Sequence, residues 1–405
     1  MSKSTLPLSG VRILDLSRVL AGPYCAMVLA DMGADVIKIE NPDGGDEARN
    51  FTKPAFNGHS IYFLTVNRNK RSVALDLKAP QGKAAFLKLV AKSDVVIENF
   101  RTGVMERLGL GYDVLKVIRP GLVYCAISGY GRDGPNVDVA GYDPVAQAES
   151  GMMSMTGEID GAPMRTGPSL VDMVCGLFAA QAVSAALRHV ALTGQGQLVE
   201  ATLHETALNM LVNFAGNYLM TGQTPTRAGN TNQVVQPAGL YEAADGAFIL
   251  TVGSDAHFKR LCTEVLQAPE IALDRRFIDN PSRVENGAAI RELLARMFAA
   301  RRRSDWLARL RAVGIAAGAV ATVSEALSSE LVASRGLVQE LSHTNLGRYA
   351  ALLGPVRLHG SSGPPRNGAP LLGEHTREVL RDLAELSLDE IGRLEEASIA
   401  RTSNA

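Results

Sequence analysis

The chain has 405 residues, of which 46% are hydrophobic and 20% are charged. This length predicts roughly two or three domains with a large buried core, and the composition excludes wholesale disorder. The 41 Lys and Arg residues nearly balance the 42 Asp and Glu residues, for a formal net charge of −1. Because nucleic-acid binders usually need a dominant basic field, we expect no nucleic-acid partner, and any anion site must be local.

Cysteine spacing and apolar patterning indicate the compartment. The cysteines stand far apart and form no C-x-x-C pair; they are Cys25, Cys125, Cys175 and Cys262. This spacing predicts reduced core cysteines and no metal site. The amino terminus, MSKSTLPLSG, lacks the apolar stretch of a secretory signal, and the long uncharged segments at 173–187 and 206–226 are typical of buried helices. We therefore expect a cytoplasmic protein with no membrane partner.

Short β-branched runs alternate with helical patterns over the first part of the chain. The predicted strands are 11–16, 35–39, 72–76, 94–98, 122–127 and 197–203. The predicted helices are 24–32, 81–91, 104–118, 172–192 and 204–219. This alternation is the signature of βαβ units around a parallel sheet, so that the sequence predicts an α/β fold.

The composition of the chain changes after about Met220. A Gly/Pro/Thr-rich connector at 222–230 is followed by turn and strand signals at 239–252, which predict a smaller α+β domain. A second Gly/Pro linker stands at 360–365. The predicted domains are a large domain over 1–220, a small α+β domain over 221–325, and a C-terminal segment over 326–405 that returns to the large domain.

One motif imitates a dinucleotide-binding loop. Gly129-Tyr-Gly-Arg-Asp-Gly134 fits the G-x-G-x-x-G pattern and follows a predicted strand. That fingerprint requires the third glycine to lead into a helix whose N-terminus meets the pyrophosphate. Residues 135–144 have the composition of a loop, so that we expect no NAD or FAD binding.

A second candidate for an anion site is the first strand-to-helix turn, Val19-Leu-Ala-Gly-Pro23. Gly22 allows close approach of the backbone, and the N-terminus of the following helix offers N–H groups to an anionic or thioester-bearing ligand. A simple helix start explains the same residues. Taken alone, this turn does not decide between the two.

Cations stand in two further loops, 67–71 and 99–103. The second loop follows the carboxyl end of a predicted strand, where ligands gather in an open parallel sheet, whereas Lys70 and Arg71 precede their strand. The side chains that together could bind several phosphate oxygens are Lys70, Arg71, Arg101 and Arg107.

Asp172 stands at the start of a nearly charge-free helix with small residues at Gly176, Ala179 and Ala180. An N-cap carboxylate is the structural explanation of this placement. The functional explanation is a nucleophilic or basic carboxylate whose surroundings exclude water. In that case Gly22 and Gly176 would give a bound thioester room beside Asp172.

In order and spacing, these motifs resemble the class III coenzyme A transferases. That family contains the formyl-CoA:oxalate and carnitine CoA-transferases together with the α-methylacyl-CoA racemases, and the resemblance covers nearly the whole chain. The motifs are Leu20-Ala-Gly-Pro23, Gly33-Ala-Asp-Val-Ile-Lys-Ile-Glu40, Asn69-Lys-Arg-Ser72, Leu75-Asp-Leu77, Glu98-Asn-Phe-Arg101, Ser128-Gly-Tyr-Gly131, Asp172, Thr193-Gly-Gln-Gly-Gln197 and Gly373-Glu-His-Thr376.

The resemblance implies a fold and a reaction. The fold is a Rossmann-like large domain with a smaller α+β domain, in a homodimer of interlocked ring-shaped subunits. The reaction moves CoA from an acyl-CoA thioester to a carboxylic acid, with CoA thioesters as substrates and no tightly bound cofactor. In such transferases an aspartate at the position of Asp172 attacks the donor thioester, and the reaction passes through an aspartyl anhydride and an aspartyl-CoA thioester.

The resemblance also implies binding residues. Leu20 and Ala21 would lie near the reacting thioester, with nearby backbone N–H groups as oxyanion donors. The residues expected to contact CoA are Leu20, Ala21, Asn69, Lys70, Arg71, Asn99, Phe100, Arg101, Arg107 and Tyr142. The loop at 229–237 stands where the oxalate enzymes have a run of glycines. The candidate substrate contacts are Asp143, Gln233 and Gln236.

Two alternatives remain beside the transferase. Racemases of the family have a His in a Gly-His-Asp stretch, because inverting an α-carbon needs an acid/base group on each face. The corresponding residues here are Gly141-Tyr-Asp143, and an unperturbed Tyr, with a pKa of roughly 10, serves poorly near neutrality. The other alternative is a CoA-binding protein without turnover, which the presence of Asp172 disfavours.

Overall fold

The computed structural model of the chain describes residues 6–361, 363 and 365–403. Most of the predictions above fall within these ranges. The first five residues of the amino terminus, and Ser362 and Pro364 of the predicted second linker, lie outside the described residues.

The strands are β1 (Arg12–Asp15), β2 (Asp35–Glu40), β3 (Ala55–Phe56), β4 (His59–Ser60), β5 (Lys70–Leu75), β6 (Val95–Glu98), β7 (Val123–Ser128), β8 (Leu198–Thr202), β9 (Ala238–Ala243), β10 (Gly246–Thr251), β11 (Ala316–Ala319), β12 (Val338–His343), β13 (Gly347–Leu352) and β14 (Ala400–Arg401). The α-helices are α1 (Ala21–Asp31), α2 (Ile61–Val66), α3 (Pro80–Ala91), α4 (Val104–Arg107), α5 (Tyr112–Ile118), α6 (Asp143–Glu149), α7 (Met152–Met155), α8 (Leu170–Thr193), α9 (Leu203–Asn209), α10 (Asn213–Thr221), α11 (Asp255–Arg260), α12 (Asn280–Glu285), α13 (Gly287–Phe298), α14 (Arg303–Ala312), α15 (Val323–Leu327), α16 (Glu330–Arg335), α17 (Thr376–Asp382) and α18 (Leu388–Glu396). Short 3-10 helices at Glu47–Asn50 and Pro269–Leu273 and a π-helix at Leu261–Val265 complete the helical elements.

The chain divides into two compact units. The first comprises Met1–Met152, Arg165–Met220 and Arg335–Ala405, and the second comprises Met153–Met164 and Thr221–Ser334. Relative to the domains expected from the sequence, the second unit gains the segment 153–164, and the chain returns to the first unit at Arg335.

A seven-stranded sheet lies at the centre of the first unit, in the order β14-β5-β2-β1-β6-β7-β8. Six of its strands run parallel, and β14 pairs antiparallel with β5 at one edge. Strands β2, β6 and β7 are buried on both faces, as a parallel sheet covered by helices requires. Phe86 of α3 belongs to the core on one face, and Cys25 of α1 and Val171 of α8 belong to the core on the other.

The strand order of this sheet reverses between β1 and β6. From β1 the chain builds outward through β2 and β5, whereas β6, β7 and β8 extend in the other direction. The loops that follow β1 and β6 therefore leave neighbouring strands on the same edge of the sheet. In open α/β sheets such a switch point is where ligands bind.

Helix α8 is longer than the uncharged segment at 173–187. It has 24 residues and is the helix, among the described residues, that is long and apolar enough to cross a membrane. The core helix of a globular protein passes the same test, and α8 buries Cys175, Ala179 and Val183 in the core that it shares with α1. These contacts fit the prediction of a buried helix, although Leu177 and Leu192 are exposed. The same prediction for 206–226 is wrong over α10, which buries no residue, and Leu219 is 81% exposed.

Two predicted helices are each divided in the structure. The predicted helix at 104–118 forms α4 and α5, which are separated at Gly109, where φ is 68°. The predicted helix at 204–219 forms α9 and α10, and Val212 between them has φ 41°. A residue with positive φ cannot continue an α-helix, so that the chain turns at both positions.

The second unit has a three-stranded antiparallel sheet, in the order β11-β10-β9, with helices beside it. Its core contains Tyr241, Phe248, Phe298 and Trp306, and the ring of Phe298 lies edge-on to each of the other three at 5.1 Å. All four cysteines of the chain are buried and free, as the sequence predicts.

Candidate active site

The turn that follows β1, Ser17–Leu20, crosses the carboxyl edge of the sheet at the switch point. Within it Val19 has φ 66°, a left-handed conformation that β-branched residues rarely adopt and that costs about 1–3 kcal/mol. The amide of Asn99, from the loop after β6, accepts from the Arg18 N–H at 2.7 Å and donates to the Arg18 carbonyl at 2.8 Å. The two loops at the switch point are thus joined into one surface.

Helix α1 begins at Ala21, directly after this turn, and no side chain caps its N-terminus. The first N–H groups of a helix have no partner within the helix, so that they are suited to an anion or a developing oxyanion. A Cβ built on Gly22 would lie 2.2 Å from the Cβ of Ser17. Gly22 therefore lets the turn fold back onto the helix, and it does not provide the room for a thioester that the sequence suggested.

Asp172 lies in the first turn of α8, which packs against α1. At Gly176, one turn further on, a Cβ would lie 2.6 Å from the carbonyl oxygen of Ala21. Gly176 thus permits the close approach of the two helices, and the expectation that it makes space for a thioester is corrected in the same way. The approach brings Asp172 to the same cavity as the N-terminus of α1.

Asp143 holds the start of α8 from another helix. It is 2% exposed, and its Oδ2 accepts from the N–H groups of Val171 at 2.8 Å and Asp172 at 3.1 Å. Its Oδ1 accepts from the side-chain amide of Gln147 at 2.6 Å. Both oxygens are bonded within the protein, so that Asp143 has a structural part, and its contact with substrate stays a prediction.

The environment of Asp172 opposes its charge. Burial, and secondly the negative charge of Asp143, raise the pKa of Asp172 to about 7, well above the ordinary range of an aspartate. No cation is among the groups that shift this pKa. A desolvated carboxylate without an ion pair is more nucleophilic than one in water, so that this environment suits covalent catalysis.

Asp172 opens onto a cavity of about 180 Å³ at the carboxyl edge of the sheet. The structure brings together seven of the predicted site residues around this cavity: Leu20, Ala21, Asn99, Phe100, Arg101, Tyr142 and Asp172. The segment Ser128–Gly131 also lines it. No helix begins at Gly134, since α6 starts only at Asp143, which agrees with the expectation that this segment is not a dinucleotide fingerprint.

Sequence reasoning missed a second cavity, of about 310 Å³, at the same edge. Arg18 and Phe100 line both cavities, and Asn41, Leu77 and Lys78 line the second. The exposed Lys78 follows the carboxyl end of β5, just as Asn99 follows that of β6. A cation shortly after the end of a parallel strand is therefore the signal in the sequence that could have indicated the second cavity.

Other predicted CoA contacts lie apart from both cavities. Lys70 is buried, and its ammonium donates to Asp15 at 2.8 Å, to the Pro23 carbonyl at 2.9 Å and to Asn67 at 2.9 Å. All three of its donors are used within the protein, so that none is left for the predicted phosphate.

Arg71, Asn69 and Arg107 likewise line neither cavity. The Arg71 guanidinium is paired with Asp35 at 2.7 Å and with Glu378 at 2.8 Å. The Asn69 amide donates to Asp31 at 2.8 Å. Lys70 and Arg71 open β5 at its amino end, and the predicted four-cation cluster does not form for this reason.

The two candidate glutamines belong to the second unit. Gln233 is exposed, whereas Gln236 is buried and its amide donates to the Asn232 carbonyl at 2.6 Å. Their contact with substrate stays a prediction.

Tyr62 of α2 is a residue near the site that no motif marked. Burial, and secondly the charges of Asp172, Asp46 and Asp143, raise the pKa of Tyr62 to about 12. Its phenol therefore lies within electrostatic reach of Asp172. Nothing in the local sequence indicates this, because the proximity arises only when α2 folds onto the unit.

The fold and site define an α/β enzyme with a desolvated carboxylate at the switch point of its sheet. The family model described as CoA-transferase family III matches residues 8–376. The succinate–glutarate CoA-transferase of Agrobacterium fabrum is 38% identical over 383 residues, which cover 93% of this chain and 96% of that protein. The succinyl-CoA:glutarate CoA-transferase of Mus musculus is 37% identical over 380 residues, which cover 94% of this chain and 87% of that protein.

A solved structure gives the same result. The crystal structure of a CaiB/BaiF family protein from Brucella suis matches with a TM-score of 0.85 at 37% identity, covering 94% of this chain and 100% of that one. The chain belongs to CoA-transferase family III, which confirms the resemblance noted in its sequence.

Proposed function

We propose that the protein transfers CoA from an acyl-CoA thioester to a free carboxylate, with Asp172 as the nucleophile. The observation that carries this proposal is a desolvated carboxylate without an ion pair that shares a cavity with the uncapped N-terminus of α1. A carboxylate nucleophile and fixed N–H donors are the two groups that acyl transfer through a covalent intermediate needs.

The first half of the reaction moves CoA onto the enzyme. The Asp172 carboxylate attacks the thioester carbonyl, the C–S bond breaks, and CoA leaves as a thiolate, which gives an aspartyl acyl anhydride. The thiolate then attacks the aspartyl carbonyl of the anhydride. The donor acid leaves as a carboxylate that carries one oxygen of Asp172, and an aspartyl-CoA thioester remains.

The second half moves CoA onto the acceptor. The acceptor carboxylate attacks the aspartyl-CoA thioester and displaces the thiolate, so that a second anhydride forms. The thiolate attacks the acceptor carbonyl of this anhydride, which yields the new acyl-CoA and restores the Asp172 carboxylate. No proton is taken up or released over the cycle.

Each addition to a carbonyl places negative charge on its oxygen. The first N–H groups of α1, at Ala21 and Gly22, are the donors we assign to that oxygen. The lack of a side-chain cap and the position of Ala21 in the wall of the Asp172 cavity support the assignment. Loss of one such donor typically slows catalysis by about 10²–10³-fold.

The two cavities accommodate the two ends of a CoA thioester. We place the acyl and thioester end in the cavity of Asp172, and the nucleotide end in the second cavity, where the exposed Lys78 provides positive charge for phosphates and Arg18, paired with Glu47 at 2.8 Å, lies between the two cavities. Arg18 and Phe100 support this placement because they line both cavities. CoA is also long enough for its two ends to lie in separate cavities.

The names of the relatives support short dicarboxylates as the substrate class. Two relatives that are 38% and 37% identical are named for succinate or succinyl-CoA together with glutarate. A racemase is not supported, because no histidine stands among the described residues that line the Asp172 cavity.

A matrix of donors and acceptors tests the proposed reaction. Succinyl-CoA and acetyl-CoA are each incubated with glutarate, succinate, oxalate or acetate, and the CoA products are measured by mass spectrometry. We expect glutaryl-CoA from succinyl-CoA and glutarate, and no product from the Asp172→Asn variant. Deuterium uptake at Cα of 2-methylacyl-CoA without any acceptor, or no transfer in any combination, would contradict the proposal.

A further inference from the structure

Four ionisable side chains are buried together beneath the Ser17–Leu20 turn. Asp15, Lys38, Asp46 and Lys70 are 0%, 0%, 1% and 3% exposed. Lys38 pairs with Asp46 at 2.9 Å, and Lys70 pairs with Asp15 at 2.8 Å. We call these four residues the ion cluster.

The stability of the fold alone does not account for the ion cluster. Removing ions from water is costly, and well-packed apolar residues of similar volume often stabilise a core as well as a buried ion pair does. An apolar core would also suit the apolar side chains that β1, β2 and β5 bury, among them Ile13, Val36 and Val73, although Glu40 and Ser72 are buried in the same strands. The ion cluster therefore calls for another explanation.

Three members of the ion cluster bond directly to the turn. Asp15 accepts hydrogen bonds from the N–H, at 3.0 Å, and from the hydroxyl of Ser17. Lys38 donates to the Ser17 carbonyl at 2.7 Å. Asp46 accepts from the N–H of Val19 at 3.1 Å.

The remaining member bonds on the far side of the turn. Lys70 donates to the Pro23 carbonyl in the first turn of α1 at 2.9 Å. The cluster thus holds the backbone before, at and after Val19, the residue in the left-handed conformation. Without these bonds Val19 would relax to negative φ, and the peptide groups that follow it would rotate.

We propose that the ion cluster is a positioning device for catalysis: it fixes the Ser17–Leu20 turn so that the first N–H groups of α1 face the reacting carbonyl. Lys38 and Asp46 are its key positioning residues, because they hold the turn on either side of Arg18. Both lie against the second cavity, but with 0% and 1% exposure their side chains are buried in its wall. This inference rests on the proposed CoA transfer, in which those N–H groups stabilise the oxyanion.

The double variant Lys38→Met/Asp46→Asn tests the inference. It removes both charges together, so that no unpaired ion is left buried, and the new amide can still accept from Val19. The donor to the Ser17 carbonyl is lost. We expect kcat to fall by at least about tenfold, while the KM for acyl-CoA and the Kd for CoA measured by calorimetry change by less than about twofold.

Two further variants keep the test decisive. Ser17→Ala serves if the double variant does not fold, because it removes the hydroxyl bond between the turn and Asp15 and leaves both ion pairs intact, and we expect the same split between kcat and KM. Phe86→Leu is the stability control, because Phe86 is fully buried in the core on the opposite face of the sheet. It should lower the melting temperature and leave kcat unchanged.

The outcomes separate this inference from the proposed function. A folded double variant with wild-type kcat overturns the positioning role, as does a kcat loss matched by Phe86→Leu at equal melting temperature. A wild-type protein that transfers no CoA overturns the proposed function itself, whatever the variants do.

Discussion

At the level of single residues, the proposed role of Asp172 as the nucleophile predicts that its ionisation sets the pH dependence of the reaction. Its pKa is raised to about 7 by burial and by Asp143, and only the ionised carboxylate attacks a thioester. We therefore expect kcat/KM to rise as the pH increases through about 7 and to level off above it. A rate profile between about pH 5 and 9 measures this.

Asp143→Asn is the matched variant for that profile. The substitution removes the negative charge and keeps an oxygen that can accept from the start of α8. Since burial is the larger cause of the raised pKa, we expect the midpoint to fall by about one pH unit and not to the ordinary value of an aspartate. An unchanged midpoint would show that Asp143 does not act electrostatically on Asp172.

The sequence predicted the residues around the Asp172 cavity better than it predicted the cations that would bind phosphate. Asn99, Phe100 and Arg101 follow directly from a strand that ends at the switch point, and the pattern of the chain reveals such a strand. Lys70 was misplaced for a physical reason: a sequence shows that a cation is present, but its availability depends on Asp15, 55 positions away in the chain, and on the Pro23 carbonyl.

At the scale of elements, the crossing of α1 and α8 determines where Asp172 stands. We expect Gly176→Ala to destabilise the protein by about 1–3 kcal/mol, because its Cβ would lie 2.6 Å from the Ala21 carbonyl oxygen and the helices must move apart. The same movement displaces Asp172 relative to the N-terminus of α1, so that kcat should fall by about tenfold or more. Chemical denaturation and steady-state kinetics measure the two effects.

Gly392→Ala is the control for that substitution. Gly392 also lies within a helix, α18, but a Cβ there would meet no atom within 4 Å. The control should stabilise the protein by about 0.5–1 kcal/mol and leave kcat unchanged. If Gly176→Ala behaved like this control, the close helix crossing would not position Asp172.

The parallel strands and the long helices could be predicted because their apolar patterns are local. The break between α9 and α10 could not, since it depends on Val212, a residue with no preference for positive φ. The break between α4 and α5 lies at Gly109, a glycine that the sequence does show. Strand β14 was also missed. It has two residues and exists only through its pairing with Ala74 and Leu75, more than 300 positions earlier in the chain.

At the scale of the whole molecule, the family resemblance predicts a homodimer of interlocked subunits. Apolar side chains exposed on the first unit support a partner surface, among them Leu177 and Phe178 of α8 and Phe214 and Leu219 of α10. We expect light scattering to give about twice the 43.1 kDa of one chain. Because linked rings cannot separate without unfolding, dilution should leave this mass unchanged. A monomer that appears on dilution would contradict the interlocking.

The transfer of oxygen between the acceptor and Asp172 tests directly whether Asp172 is the nucleophile. In the proposed cycle the donor acid leaves with one oxygen of Asp172, and the acceptor carboxylate restores it. After several turnovers with succinyl-CoA and glutarate labelled with ¹⁸O in its carboxylates, we expect the peptide that contains Asp172 to gain about 2 Da for each exchanged oxygen, up to about 4 Da. Glutaryl-CoA formation with no mass gain at Asp172 would contradict the proposed mechanism, because CoA would then pass to the acceptor without an aspartyl intermediate.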